Sequence, residues 1–375
     1  MNKKTLQPIL EAFFTFLTNP RIIQTAKVFI SYLCGKRMKM KSSKRNALLF
    51  SLLLCCAVLL FLLDLMFGST PLPFDEIIKI ITGASDSSSS YYRIFFKLRL
   101  PEAIAATAAG AALSVSGLSM QTLFRNPLAD PSILGVSAGA SLGVAIVTLV
   151  VGNSLNSFFG NSVTLLFSAF FGASLILFLM TILARRVSGT TLLLVGVIAG
   201  YTVGAITGIL QFFATKEGLQ TFIVWGMGSF KNIPMPRALL TMVASAVLLI
   251  ITFFQSKGLN AFVMGEEYAL NSGTNVKRLM VVNVLLSGAL VAVITSFCGT
   301  IAFVGLMVPH FARMIFKAFD HRILIPASIV IGIALMLLCD LVASLPGTDH
   351  VLPVNAVTSI IGAPIVIFLI LKRKK

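Results

Sequence analysis

What most limits this chain is a run of apolar stretches, each about 20 residues long, repeated almost end to end from residue 47 to residue 371. A helix needs about 20 mostly apolar residues to cross a hydrocarbon core of about 30 Å. That length predicts ten crossing helices, at about 47–67, 101–121, 132–152, 162–184, 190–213, 237–255, 279–297, 301–318, 323–344 and 352–371. Gly288, Gly299 and Gly305 interrupt the sixth to eighth stretches and mark candidate helix breaks. With 57% hydrophobic and 11% charged residues, a water-soluble fold could not cover its own core. The expected fold is an all-α polytopic membrane protein, which excludes a cytosolic enzyme, a disordered chain and a disulfide scaffold.

The net charge of +17 invites a nucleic-acid reading until its distribution is considered. An even number of spans puts both termini on one side, and cytoplasmic flanks carry the excess of Lys and Arg. With both termini in the cytoplasm, 23 of the 30 Lys and Arg fall on that side. The charge is therefore topogenic, with some attraction to lipid headgroups, and no nucleic-acid partner is expected. The expected location is a membrane with both termini on its cytoplasmic face.

Residues 1–45 read as a basic cytoplasmic extension, and residues 46–375 as the transmembrane domain. The short apolar stretches Ile9–Leu17 and Val28–Leu33 are too short to span and lack the build of a signal peptide. They suit an amphipathic segment on the inner leaflet, or an upstream stretch ahead of a start at Met38 or Met40.

Five scattered cysteines (Cys34, Cys55, Cys56, Cys298, Cys339) form no CxxC, and His310, His321 and His350 have no ligand spacing, so no metal is expected. The acidic residues inside the stretches, Asp64 and Asp340, lie near their outer ends and read as interfacial carboxylates in reach of water. Ion-coupled carriers generally need an ionisable group deep in the membrane. That scarcity places the energy source elsewhere, and no G-x-x-x-x-G-K-[ST] phosphate loop supplies it in this chain.

The cytoplasmic loop Ser256–Arg278 reads equally as a docking contact for a partner or as an ordinary solvated turn, and its centre predicts a short helix after Gly265. Glu266 and Glu267 suit its positive end, and Gly273 suits its stop. Glycines recur every four residues at 196, 200, 204 and 208, and again at 135, 139 and 143, as bare stripes for a dimer seam or for packing within the subunit. Arg125-Asn126-Pro127 and Asp130-Pro131 predict a rigid inner turn that either ties to its neighbours or helps form an inner gate. A lone His310 beside Pro309 reads as a packing or capping residue, and His321 in Asp-His-Arg as structural.

Several motifs are more specific. Leu98-Arg-Leu-Pro-Glu-Ala103, RNPLADP at 125–131, Trp225-Gly-Met-Gly-Ser229, the Gly-Glu loop at 265–273, and GLMVPHFAR at 305–313 together resemble the FecCD-type permease subunits of type II ABC importers. The resemblance covers roughly residues 45–375. It implies two permease copies, identical or paralogous, two ABC ATPase subunits that use ATP and Mg, and an extracytoplasmic substrate-binding protein. The implied cargo is a metal chelate: a ferric siderophore, haem or cobalamin. By the same resemblance Gly265, Glu266, Glu267, Ala269 and Gly273 form an ATPase-coupling loop, and Arg99 docks the binding protein. Family members often carry a second Arg where this chain has Glu102, and a third where it has Ser344; Arg93 and Lys97 are the candidates to compensate. The alternative is an ion-coupled carrier or channel of similar topology.

Overall fold

A computed structural model describes residues 42–67, 72–82, 89–151, 161–231, 233–344 and 352–373. Most of the basic extension, with Met38 and Met40, lies outside them, as do Cys34, His350 and Val351. Residues 1–49 and 50–375 form two units, and the first is described only where helix α1 begins.

Every regular element among the described residues is helical. In chain order these are α1 (Ser42–Met66), α2 (Phe74–Ile81), α3 (Ser90–Leu123), α4 (Val136–Ala145), α5 (Asn161–Leu183), α6 (Gly189–Phe212) and α7 (Lys216–Gly226). There follow α8 (Met235–Phe254), α9 (Ser256–Val263), α10 (Glu266–Asn271), α11 (Val276–Cys298), α12 (Val304–Phe316), α13 (His321–Ala343) and α14 (Val354–Arg373). Seven of these, α1, α3, α5, α6, α8, α11 and α13, are long and apolar enough to cross a membrane; α4, α12 and α14 are shorter in their apolar parts.

Helix α3 is the axis of the packing. Its apolar window is 89% buried, against 22–28% in α1, α5, α6 and α8, and it touches α8, α11, α12 and α13. Its sequence explains this position, because Ala, Gly and Ser along LPEAIAATAAGAALSVSGLS allow backbones to approach. A Cβ on Gly110 would collide with the Gly332 carbonyl of α13, and one on Gly117 with the Gly305 carbonyl of α12. Ser116 adds a hydroxyl donated to the Ser287 carbonyl of α11 at 2.9 Å.

The two predicted glycine stripes have different fates. Gly139 and Gly143 of α4 pack against Gly172 and Ser168 of α5, inside the subunit. Gly196 packs against Ile133, but Gly200, Gly204 and Gly208 face open space. Beside them stand exposed Ile198, Tyr201, Ile209 and Phe212.

The predicted eighth stretch, 301–318, is helical only over Val304–Phe316. At about 1.5 Å per residue, 13 residues reach only about 20 Å. Gly299 (φ 77°) and Phe303 (φ 69°) bound the break before it, whereas Gly288 and Gly305 sit within helices as packing positions. The irregular backbone at this break is hydrogen-bonded to two other breaks. Ser229 N–H donates to the Cys298 carbonyl (2.8 Å), Thr300 Oγ1 to the Gly226 carbonyl (2.5 Å), and Ala302 N–H to Asn355 Oδ1 (3.1 Å). Val354 N–H donates to the Gly228 carbonyl (3.3 Å). Non-helical backbone at membrane depth survives only when satisfied in this way.

Candidate functional site

Two ends of the bundle carry chemistry. At the end where α3 starts and α13 finishes, five ionisable side chains converge: Asp64 of α1, Arg99 and Glu102 of α3, Lys231 of the segment before α8, and Asp340 of α13. Lys231 Nζ lies 2.7 Å from Glu102 Oε2, and Arg99 lies 3.5 Å from the same oxygen. Asp64 and Asp340 are close neighbours there, and Asp64 Oδ2 and Asp340 Oδ1 are buried with no hydrogen-bond partner among the described residues. The expectation of interfacial carboxylates in water is corrected: Asp64 is 4% and Asp340 1% exposed. Each is short, near a helix end, and held among neighbours that no local pattern reveals.

Arg99, expected as a docking residue, is also 4% exposed and turned onto Glu102. The cause is local: one helical turn separates the two, so the acidic residue at 102 attracts the guanidinium inward. Arg93 and Lys97, on the preceding turns, remain exposed. Ser344 is buried as well. Beside the cluster lies a cavity of about 500 Å³ whose walls include Gln220, Trp225, Ser229, Lys231 and Arg237.

The opposite end holds the loop between α8 and α11. The structure adds a helix the sequence reading missed: α9 precedes the predicted short helix α10, and the two form a hairpin. Gly265 joins them at φ 133°, a conformation that a side chain would strain. Gly273 (φ 80°) stops α10, and the Thr274 N–H closes back onto the Ala269 carbonyl at 2.9 Å. Ala269 points inward, wholly buried in a cluster with Phe262, Val276 and Leu279. Glu266 and Glu267 are exposed, and so are Met264 (71%), Tyr268 (55%) and Leu270 (56%), which sequence reasoning did not single out. These three make an exposed apolar trio flanked by two carboxylates.

The predicted turn after α3 is built as expected and tied outward. Asn126 Oδ1 accepts from Leu128 N–H (3.0 Å), and Asp130 Oδ1 caps the following 3₁₀ turn through Ser132 N–H (2.9 Å). A His310 ring N–H donates to the Pro127 carbonyl at 2.9 Å, which gives that lone imidazole its packing role. Arg125, at φ 48°, stacks 4.7 Å from the centre of the Phe262 ring on α9. These contacts join the turn to α9 and α12. Arg313 donates to Gln121 Oε1 at 2.6 Å, joining α12 to α3 just above it. Among the described residues, no three His, Cys, Asp or Glu are grouped to hold a metal.

A sequence model described as the FecCD transport family matches residues 54–372. The chain is 34% identical over 335 residues to the hemin transport system permease protein of Yersinia pestis, covering 88% of this chain and 96% of that one. It is 36% identical over 282 residues to the vitamin B12 import system permease protein of Escherichia coli, covering 75% and 84%. Among solved structures, an inward-facing ABC transporter assigned to the metal-chelate type superposes with a TM-score of 0.73 at 29% identity, over 88% of this chain and all of that one.

Proposed function

The chain belongs to the FecCD transport family and is a non-enzymatic ABC permease subunit of the bacterial cytoplasmic membrane, and on that premise we propose its cargo, its partners and the way it is driven. The cargo is a metal chelate, a ferric siderophore or haem first and cobalamin next, in keeping with relatives named for hemin and vitamin B12. An extracytoplasmic binding protein delivers it, and separate ATPase subunits hydrolyse ATP with Mg; this chain binds neither. Ten crossings with both termini in the cytoplasm put the α9–α10 hairpin on the ATPase side and the charge cluster on the outer face. A second permease copy, identical or paralogous, covers the open glycine face of α6.

The observation that carries this reading is the hairpin itself. Its glycine-set turn, buried Ala269 and outward Met264, Tyr268 and Leu270 make a rigid knob for a cytoplasmic partner. On the outer face, exposed Arg93 and Lys97 are offered to the binding protein, with Arg99 held behind them.

The charge cluster is what an ion-coupled carrier would display, so that alternative needs its own answer. Lys231 and Arg99 are both engaged by Glu102, which suits a staple between the segment before α8 and α3 better than an ion site. The decisive measurement is uptake into proteoliposomes of haemin, ferrichrome or cyanocobalamin, with and without the cognate ATPase and binding protein. Import only with both partners and ATP is expected; accumulation by this chain alone, driven by an ion gradient, would overturn the reading.

A further inference from the structure

A rigid knob moves nothing unless it is fastened to the helices that must move. At the inner end of the bundle one side chain, Asn260 of α9, gathers three elements. Its Nδ2 donates to Asp320 Oδ1 at 2.6 Å, the oxygen that also caps α13 by accepting Arg322 N–H at 2.9 Å. Its Oδ1 accepts twice from His321: from the backbone N–H at 2.8 Å and from ring Nδ1–H at 2.7 Å. The carboxylate on one side and two donors on the other fix which way the amide points. The far ring nitrogen, Nε2, lies 2.8 Å from Thr122 Oγ1, in the last turn of α3. His321 is 1% exposed and Thr122 is buried, so water does not compete for the bond between them, while the Asp320 side of the network is open to solvent.

A second tie runs from the same end of α3, where Arg125 stacks on Phe262, two residues beyond Asn260. Phe262 belongs to the apolar cluster that seats α10 through Ala269. Apolar packing between α9 and its neighbours could slide; a two-sided amide with fixed donors and acceptors cannot shift without breaking all of its bonds together. Helix α3 in turn is the buried axis that touches α8, α11, α12 and α13.

We propose that Asn260 is the positioning residue that couples the ATPase-facing hairpin to the transport helices, delivering its displacement through His321 and Thr122 to α13 and α3. This inference rests on the reading of the hairpin as the ATPase contact. It assigns work to residues outside the Gly265–Gly273 loop.

The test uses the complete reconstituted importer, with its ATPase and binding protein, and whichever of haemin, ferrichrome and cyanocobalamin the wild type imports. Cargo imported per ATP hydrolysed is the readout. Asn260→Ala is expected to assemble and hydrolyse ATP at near the wild-type rate, while that ratio falls about tenfold, in the range of a typical allosteric coupling. Asn260→Asp alone sets two carboxylates face to face and is expected to uncouple likewise. Combining it with Asp320→Asn removes the facing carboxylates and puts an amide N–H back between the two residues, at the expense of the cap on Arg322 N–H, and the ratio is expected to recover in large part. An unchanged ratio in Asn260→Ala overturns the proposal. So does parallel loss of transport, hydrolysis and thermal stability that the double exchange does not repair. A wild-type complex that hydrolyses ATP but imports nothing would instead sink the functional reading beneath it.

Discussion

Lys231 and Glu102 lie 129 positions apart in the chain and meet at 2.7 Å, joining the segment before α8 to the Arg99–Glu102 turn of α3. Removing one partner of a buried pair leaves the other charge desolvated, at a cost of about 3–5 kcal/mol. Lys231 keeps 18% of its side chain exposed, so Lys231→Met is expected to cost somewhat less, roughly 2–4 kcal/mol. Adding Glu102→Gln should recover most of it. Thermal unfolding of the purified protein in detergent, as a double-mutant cycle, measures the coupling.

The same cluster separates two uses of arginine. Arg99→Gln is expected to lower the midpoint of unfolding while leaving affinity for the binding protein nearly unchanged. Lys97→Glu, on the exposed side of the same helix, is expected to do the reverse, weakening docking about tenfold as a rim charge that steers encounter. Surface plasmon resonance with immobilised binding protein distinguishes them; equal losses for both would restore Arg99 as a docking residue.

On the hairpin, Tyr268→Ala removes exposed contact area without touching the fold, and ATPase association is expected to weaken by about 1–2 kcal/mol. Gly265→Ala places a side chain at φ 133°, costing about 1–3 kcal/mol of backbone strain, and is expected to disorder the hairpin as well. Co-purification of the ATPase, set beside hydrogen exchange over 256–278, tells lost contact from lost structure.

Glycines that look alike in sequence should behave differently. Gly117→Ala forces a methyl group onto the Gly305 carbonyl and is expected to destabilise the subunit by several kcal/mol, as overpacking does at its upper end. Gly204→Leu meets nothing within the subunit and is expected to leave monomer stability intact while weakening dimerisation. Native mass spectrometry reports the second, and thermal unfolding the first.

Asp320 lies just ahead of α13, and its carboxyl titrates below the ordinary range. Burial pushes it up, but the Arg322 N–H and the Asn260 amide push it down further and prevail. A folded value below the unfolded one contributes stability that is present above the unfolded pKa, about 3.9, and lost as pH falls through the folded value. Unfolding midpoints followed between about pH 5 and pH 3 should fall less steeply in Asp320→Asn than in the wild type.

The apolar rhythm alone located ten of the fourteen α-helices among the described residues, because length and hydropathy are local quantities, and the Gly265–Gly273 stop and start signals placed α10. Helix α9 was missed because Ser256–Val263 follows α8 with no proline or capping break between them. The charge cluster was illegible for another reason. Asp64, Glu102, Lys231 and Asp340 come from four distant parts of the chain, and each alone resembles a carboxylate or amine near a membrane surface. In sequence Glu102 stands out only as a departure from a family pattern; that it pairs with Arg99 and Lys231 follows from three-dimensional proximity. Exposed Tyr268 and Leu270 were likewise hidden, since sequence does not say which face of a six-residue helix is covered.

The breaks at 226–229, 298–303 and 353–355 satisfy one another's backbone, with Gly228, Thr300 and Asn355 as shared partners. Three segments of chain laced together in this way have no single hinge to loosen, so a substitution that frees any one of them is expected to leave backbone groups unpaired in the other two.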